Sequence, residues 1–259
     1  MRYLFSAAGR RALDSLFNRK SLVAFDFDGT LSPIVKIPGA AKLPGKTKLL
    51  LDELGSRVLM AIISGRSVRD LKPRVQGVSK LLIGNHGLEG VTSLRTTSTN
   101  ARVTTTRWLA TLKKTWGILA QDPGVLIESK TYSLAIHYRH SKNPTRARRE
   151  IFLLLAKLRP LPRVIPGKCV VNLIPPGSPH KGTALRKLMA QSKLGSALYV
   201  GDDDTDEDVF SLRDPRIVTV RIGQKKSSQA QYYLKDQTEI QKLLKYLLRS
   251  CSKDDVSIK

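Results

Sequence analysis

Short apolar runs bounded by turn residues alternate with helix-spaced stripes at both ends of this chain. Parallel strands suit that alternation, because consecutive parallel strands need a crossover between them. Residues 22–27, 58–63 and 81–84 read as buried strands in the first third, and 197–200 and 217–222 in the last. Helices are predicted over about 6–18, where Leu13, Leu16 and Phe17 share a face, over 47–54, and from about Lys181. Ser67 with Asp70 three residues on has the shape of a capping box, so another helix starts there. A last one carries Ile240, Leu243, Leu244, Leu247 and Leu248 on one stripe.

The middle of the chain breaks this pattern. Trp108, Leu109, Leu112 and Trp116 recur at helical spacing, whereas Leu134, Ile136 and Tyr138 alternate as in a strand. Asn143-Pro144 is a cap followed by a first-turn proline, with Ile151, Leu154, Leu155 and Leu158 as the stripe behind it. Pro166-Gly167 suggests a hairpin turn, and Pro175-Pro176-Gly177-Ser178-Pro179 a stiff linker. The outer segments complete one parallel sheet, and the middle is a small inserted domain. The expected division is 1–93 with 176–259 for the core, and 94–175 for the insertion.

Composition narrows the class. With 259 residues, 41% hydrophobic and 25% charged, the chain is long and apolar enough for a globular core. The longest apolar run, 58–63, falls far below the roughly 18 residues of a membrane span. Arg10 and Arg11 interrupt any signal-peptide core, and the basic N-terminal helix is expected to pack on the domain rather than on a membrane surface. Cys169 and Cys251 show no metal or disulfide spacing, so a reduced, cytoplasmic protein is expected.

Charge is uneven. Forty-five Lys and Arg against 21 Asp and Glu leave +24, and residues 91–180 hold fifteen of the bases but only three of the acids. Such an excess attracts anions in general. Conversely, six acids crowd into 202–208, and like charges that close repel unless a cation is shared among them.

Ligands of parallel sheets bind beyond the carboxyl ends of the strands, which singles out four strand or helix ends. In Phe25-Asp26-Phe27-Asp28-Gly29-Thr30, two carboxylates two residues apart follow a buried strand, and suit a cation site together with the work of nucleophile and general acid. In Ser64-Gly65-Arg66, a hydroxyl, a bare amide and a guanidinium suit an anion, although an ordinary helix cap would look the same. Lys181 stands at a helix start, where an ammonium beside open amides stabilises phosphate charge. Gly201-Asp202-Asp203-Asp204-Thr205-Asp206 closes a further strand.

In order along the chain, these four segments resemble the signatures of the haloacid-dehalogenase-like phosphohydrolases. FDFDGTLSPIV, IISGR, GNHGLE and GDDDTDEDVF resemble the trehalose-6-phosphate phosphatase family in particular, as does Glu128-Ser129-Lys130 followed by Ser133 and His137-Tyr138-Arg139. The resemblance implies an α/β fold, a Rossmann-like parallel-sheet core with a smaller inserted α/β cap acting as a lid over the sugar. It also implies hydrolysis of trehalose 6-phosphate with Mg²⁺ through an aspartyl-phosphate. Asp26 would be the nucleophile and Asp28 the general acid. Ser64 and Lys181 would bind the phosphoryl group, and the ion would be held by Asp26, Asp28 and Asp202 with Asp206, and Asp203 beside it, in support.

Glu128, Lys130 and Arg139 are the candidates for sugar contacts, Arg66 for substrate charge, and His86 and Glu89 for substrate-side roles that a structural one would explain as well. His137 reads equally as a packed cap residue. One departure bears on selectivity. Family members usually carry Glu-x-Arg/Lys-Pro before the linker, whereas this chain has Asn172-Leu173-Ile174-Pro175. Asn172 accepts fewer hydroxyl bonds than a carboxylate, so a related sugar phosphate is the alternative substrate. Two other classes stand beside the phosphatase. One is a nucleic-acid binder using the +24 surface, disfavoured by few aromatics and expected to be nonspecific; the other is a sugar-phosphate sensor without turnover. A monomer is expected.

Overall fold

The computed structural model describes residues 1–17, 20–35, 37–91, 95–167 and 169–251. In chain order the elements are β1 (Arg2–Tyr3), α1 (Ala7–Leu16), β2 (Ser21–Phe25), α2 (Gly45–Gly55), β3 (Leu59–Ile63), α3 (Val68–Val75) and β4 (Leu81–Ile83). Then follow α4 (Arg95–Thr115), β5 (Leu126–Ser129), β6 (Leu134–His137), α5 (Pro144–Leu155), β7 (Arg163–Gly167) and β8 (Val170–Ile174). The chain ends with α6 (Lys181–Gln191), β9 (Ser196–Gly201), α7 (Glu207–Phe210), β10 (Ile217–Ile222), β11 (Tyr232–Leu234) and α8 (Ile240–Cys251). Contacts divide it into two compact units, Met1–Val91 with His180–Lys259, and Thr92–Pro179.

The larger unit is built on a seven-stranded sheet in the order β1-β11-β10-β9-β2-β3-β4, parallel throughout. Every residue of β2 and β9 is buried. Continuous apolar strands of this kind are the mark of a parallel sheet covered by helices on both faces. Strand order runs outward from β2 in both directions, so the reversal point lies between β2 and β9, where the α/β rule puts ligands. Phe25 is in register with both Ile62 and Val200, which brings the carboxyl ends of β2, β3 and β9 to one edge. The stripe of α8 is buried as expected and packs with Leu51 and Leu54 of α2 in the main core.

The smaller unit has a four-stranded antiparallel sheet, order β5-β6-β8-β7. One face of it, Leu134, Ile136, Val171 and Leu173, forms a core with Trp108 and Leu112 of α4 and Ile151 and Leu155 of α5. Trp108 is fully buried and its ring nitrogen donates to Pro160 O at 2.9 Å, satisfying the one polar atom that burial would strand. Asn143 caps α5 through a bond from Arg146 N at 3.0 Å.

Local chemistry departs from expectation in three places. Pro166-Gly167 does not form the hairpin turn; both residues belong to β7, paired with Val171 and Val170. Because β7 is a sheet edge, a proline there costs no ladder bond. Only half of the capping box at α3 is made: Ser67 accepts from Asp70 N, but the Asp70 carboxylate turns to Arg66 and Arg74. The short parallel strands β1 and β11 were not foreseen, since two or three residues are too few to show a period. Of the expected 6–18 helix, residue 18 lies outside the described residues.

Truncating Leu244, a wholly buried α8 residue of the main core, is expected to destabilise the larger unit by about 3 kcal/mol. Thermal unfolding of Leu244→Ala checks this, and an unchanged midpoint would place α8 outside the core.

Candidate active site

Asp26 extends β2 by one residue. Its amide donates to Val200 O at 2.8 Å, and its carboxylate emerges at the sheet edge only 5% exposed. Phe27 turns back into the core, and Gly29 then adopts a φ of +82°. A Cβ at Gly29 would lie 2.1 Å from Asp202 Oδ2, so only glycine lets the loops after β2 and β9 come together. Thr30 closes this junction, donating through Oγ1 to Asp202 Oδ1 at 3.1 Å.

At the end of β9 the six crowded acids separate. Asp206 folds inward and is wholly buried; Asp203 accepts from the amide and hydroxyl of Thr205. Asp204 pairs with Lys225, and Glu207 with Arg221 at 3.3 Å. The predicted repulsion is therefore relieved in part by bases on neighbouring segments, and a shared cation concerns only part of the cluster. Oxygens of Asp26, Asp202 and Asp206 lie within 4.8 Å of one another. Lys181, on the first turn of α6 and 1% exposed, donates from Nζ to Asp26 Oδ1 and Asp206 Oδ1, both at 2.8 Å.

Ser64 directly follows β3, buried, and its Oγ accepts from Arg66 N at 3.2 Å. It is not the helix cap that its neighbours allowed; Ser67 holds that position. Arg66 grips Asp28 with two bonds of 2.6 and 2.7 Å and reaches Asp70 at 2.7 Å. Burial lowers the Arg66 guanidinium, but bonds to Asp28 and Asp70 outweigh that and raise it. The ring of His86 lies over Gly65, where a Cβ would come within 2.5 Å of it. Glu89 Oε2 accepts from Val68 N and Asn85 Nδ2, both at 2.9 Å, and so ties the loop after β4 to the start of α3.

On the smaller unit Glu128, His137 and Asn172 share the sheet face opposite its core, beside the apolar Leu126 and Ala135. Glu128 Oε2 meets His137 Nε2 at 2.8 Å, and Lys130 Nζ donates to Asn172 Oδ1 at 3.4 Å. Asn172 Nδ2 in turn donates to Ile165 O at 3.4 Å. His137 is thus a partner of a candidate residue and not a packed core residue. Arg139 lies past the end of β6 on an exposed stretch.

Sequence reading missed Tyr199, Thr30 and Asp70, each of which holds a candidate residue in place. Strand alternation put Tyr199 on the same face as Gly201, the one signal that pointed to it. The oxygen-only donor set of Asp26 and Asp202 fits a hard divalent cation. Burial pushes the Asp26 carboxyl well up, with Asp206, Asp202 and Asp203 adding to the rise and Lys181 opposing it. Asp202 rises from 3.8 to about 7, first through burial and then through Asp206 and Asp203.

A sequence model of the family described as Trehalose-phosphatase matches residues 24–238. The trehalose-phosphate phosphatase of Mycobacterium tuberculosis (strain ATCC 25618 / H37Rv) is 34% identical over 218 residues, covering 81% of this chain and 55% of that protein. That of Mycobacterium leprae (strain TN) is 33% identical over 211 residues, covering 76% and 48%. The chain spans about half the length of these curated relatives. Among solved structures, a trehalose-6-phosphate phosphatase related protein matches with TM-score 0.72 at 23% identity, covering 90% of this chain and 99% of that one. The C-terminal domain of Candida albicans trehalose-6-phosphate phosphatase matches at 0.68 and 23%, covering 93% and 96%. Both are likenesses of fold.

A carboxyl raised on folding binds its proton more tightly in the folded chain, so its contribution to stability is full below about pH 4 and lost as pH rises through about 7. A cation that replaces the proton restores what is lost. Mg²⁺ is therefore expected to raise the thermal midpoint more at about pH 7.5 than at about pH 5. Scanning fluorimetry with Mg²⁺ and with EDTA reads the difference, and equal shifts at both pH values would show that ion and proton do not compete here.

Proposed function

Since the chain belongs to the trehalose-phosphatase family, within the haloacid-dehalogenase-like superfamily, we propose that it hydrolyses trehalose 6-phosphate to trehalose and phosphate by way of a phosphoryl group carried on Asp26. One observation supports this most: Asp26 is buried at the strand end with Oδ1 bound by Lys181, while Oδ2 accepts no bond from the described residues. One oxygen is held and the other is left to attack phosphorus.

The remaining groups fit around that attack. Lys181 has three donors and spends two on Asp26 and Asp206, leaving one for a phosphoryl oxygen. Ser64 accepts through Oγ from Arg66 N, and its O–H remains to donate to a second. Asp28 would give a proton to the departing sugar oxygen and take one from the attacking water. Arg66 holds both oxygens of Asp28, so proton donation requires that grip to open. A bound Mg²⁺, held by Asp26, Asp202 and the Asp28 main-chain carbonyl with Asp206 behind them, would neutralise charge building on the phosphoryl oxygens.

The open sheet face of the smaller unit, the proposed cap, offers Glu128 and Lys130 as hydroxyl partners, with Arg139 nearby in sequence. Asn172 favours a second reading of the substrate. Its carbonyl is engaged by Lys130 and its amide by Ile165 O, so it adds little to bind a second glucose, and a related sugar phosphate becomes the alternative. Mg²⁺ as the ion, a cytoplasmic setting and a monomeric state belong to the same proposal.

Mg²⁺-dependent phosphate release from trehalose 6-phosphate is expected, and Asp26→Asn should reduce it to background. Turnover surviving that substitution would remove Asp26 as nucleophile. Across a panel of phosphorylated mono- and disaccharides, Asn172→Glu should shift preference toward trehalose 6-phosphate by about tenfold, the worth of one good polar contact to a sugar hydroxyl. Identical rates on every sugar, before and after the change, would make the phosphatase a general one.

A further inference from the structure

Asp206 is the most fully engaged carboxylate of the site. Its Oδ1 accepts from Lys181 Nζ at 2.8 Å and Tyr199 Oη at 2.7 Å; its Oδ2 accepts from the amides of Asp202 and Asp203, both at 2.9 Å. A carboxylate has about four lone-pair positions, and protein donors fill them all. Asp26 and Asp202 differ. Lys181 on Asp26 and Thr30 on Asp202 are their hydrogen-bond donors among the described residues, and each takes only Oδ1. An ion drawn to the three acids therefore finds open oxygens on two of them.

The cradle for Asp206 is built into β9. Tyr199 and Gly201 stand two apart and share a face of the strand. A Cβ at Gly201 would lie 2.2 Å from Asp206 Cγ, so the glycine makes room for the carboxylate and the tyrosine closes its side. Tyr199 is wholly buried, with its ring edge-on to Phe210 at 6.1 Å. Without the tyrosine hydroxyl, Oδ1 of Asp206 would be held by Lys181 alone, and the ammonium between Asp26 and Asp206 would lose a fixed partner.

We infer that Tyr199 is a positioning residue, which through Asp206 fixes the Lys181 ammonium toward the phosphoryl group, and that Asp206 is an internal anchor and not a direct ligand of the ion. The phosphoryl half rests on the function proposed above; the ion half does not. Tyr199→Phe keeps the ring and its packing on Phe210 and removes only the hydroxyl. Mn²⁺ affinity, followed by the paramagnetic signal of the unbound ion, should stay within about threefold of wild type, whereas Asp202→Asn should weaken it by about tenfold or more. Orthovanadate, a mimic of the transferring phosphoryl group, should bind Tyr199→Phe about tenfold more weakly at saturating Mn²⁺. Loss of Mn²⁺ affinity as large as in Asp202→Asn would overturn the ion half, and unchanged vanadate binding the positioning half. Should wild type itself fail to bind vanadate, both the function proposed above and the positioning half fall, while the Mn²⁺ comparison still decides whether Asp206 is a ligand.

Discussion

An ammonium buried between two buried carboxylates sets the terms for the rest of the larger unit. Lys181, Asp26 and Asp206 are each at most 5% exposed. Taking such charges from water is costly, and their mutual attraction offsets it only with good geometry and further hydrogen bonds. Removing one member of a buried pair typically costs about 3–5 kcal/mol, because its partner is left charged and dry. The three residues come from the end of β2, the first turn of α6 and the turn after β9. These elements must therefore reach their final register together for the charges to be tolerated.

Backbone approach makes that register possible. Gly29 stands where any side chain would collide with Asp202, so the loops after β2 and β9 meet at carboxylate distance only because it lacks a Cβ, and Gly201 makes the same room for Asp206 within the turn after β9. Asp204 and Glu207 are drawn outward by Lys225 and Arg221, both supplied by the segment from β10 onward. Part of the basic excess thus serves to pull acids off the site. Arg66, held by Asp28 and Asp70, performs the same balancing on the β3 side.

The smaller unit follows a different logic. Its sheet buries one face against α4 and α5, while the other carries Glu128, His137 and Asn172 beside the apolar Leu126 and Ala135. The strand period that sends Ile136 inward sends His137 and Glu128 outward to meet each other. On that face Glu128 pairs with His137 and Lys130 with Asn172, so each pair presents both donors and acceptors.

Much of this was legible in the linear chain, because local signals carry it. Apolar runs marked β2, β3, β9 and β10, the Asn143-Pro144 cap marked α5, and the acid-bearing ends of β2 and β9 marked the site. What only the folded chain decided was the partnership of side chains far apart in sequence. Nothing in the order of residues says that Tyr199 bonds Asp206, that Arg66 takes both oxygens of Asp28, or that of six neighbouring acids just Asp202 and Asp206 join Asp26. Helices and strands are specified by spacing over a few residues, whereas a buried charge is specified by whichever partner the completed sheet brings within about 3 Å of it.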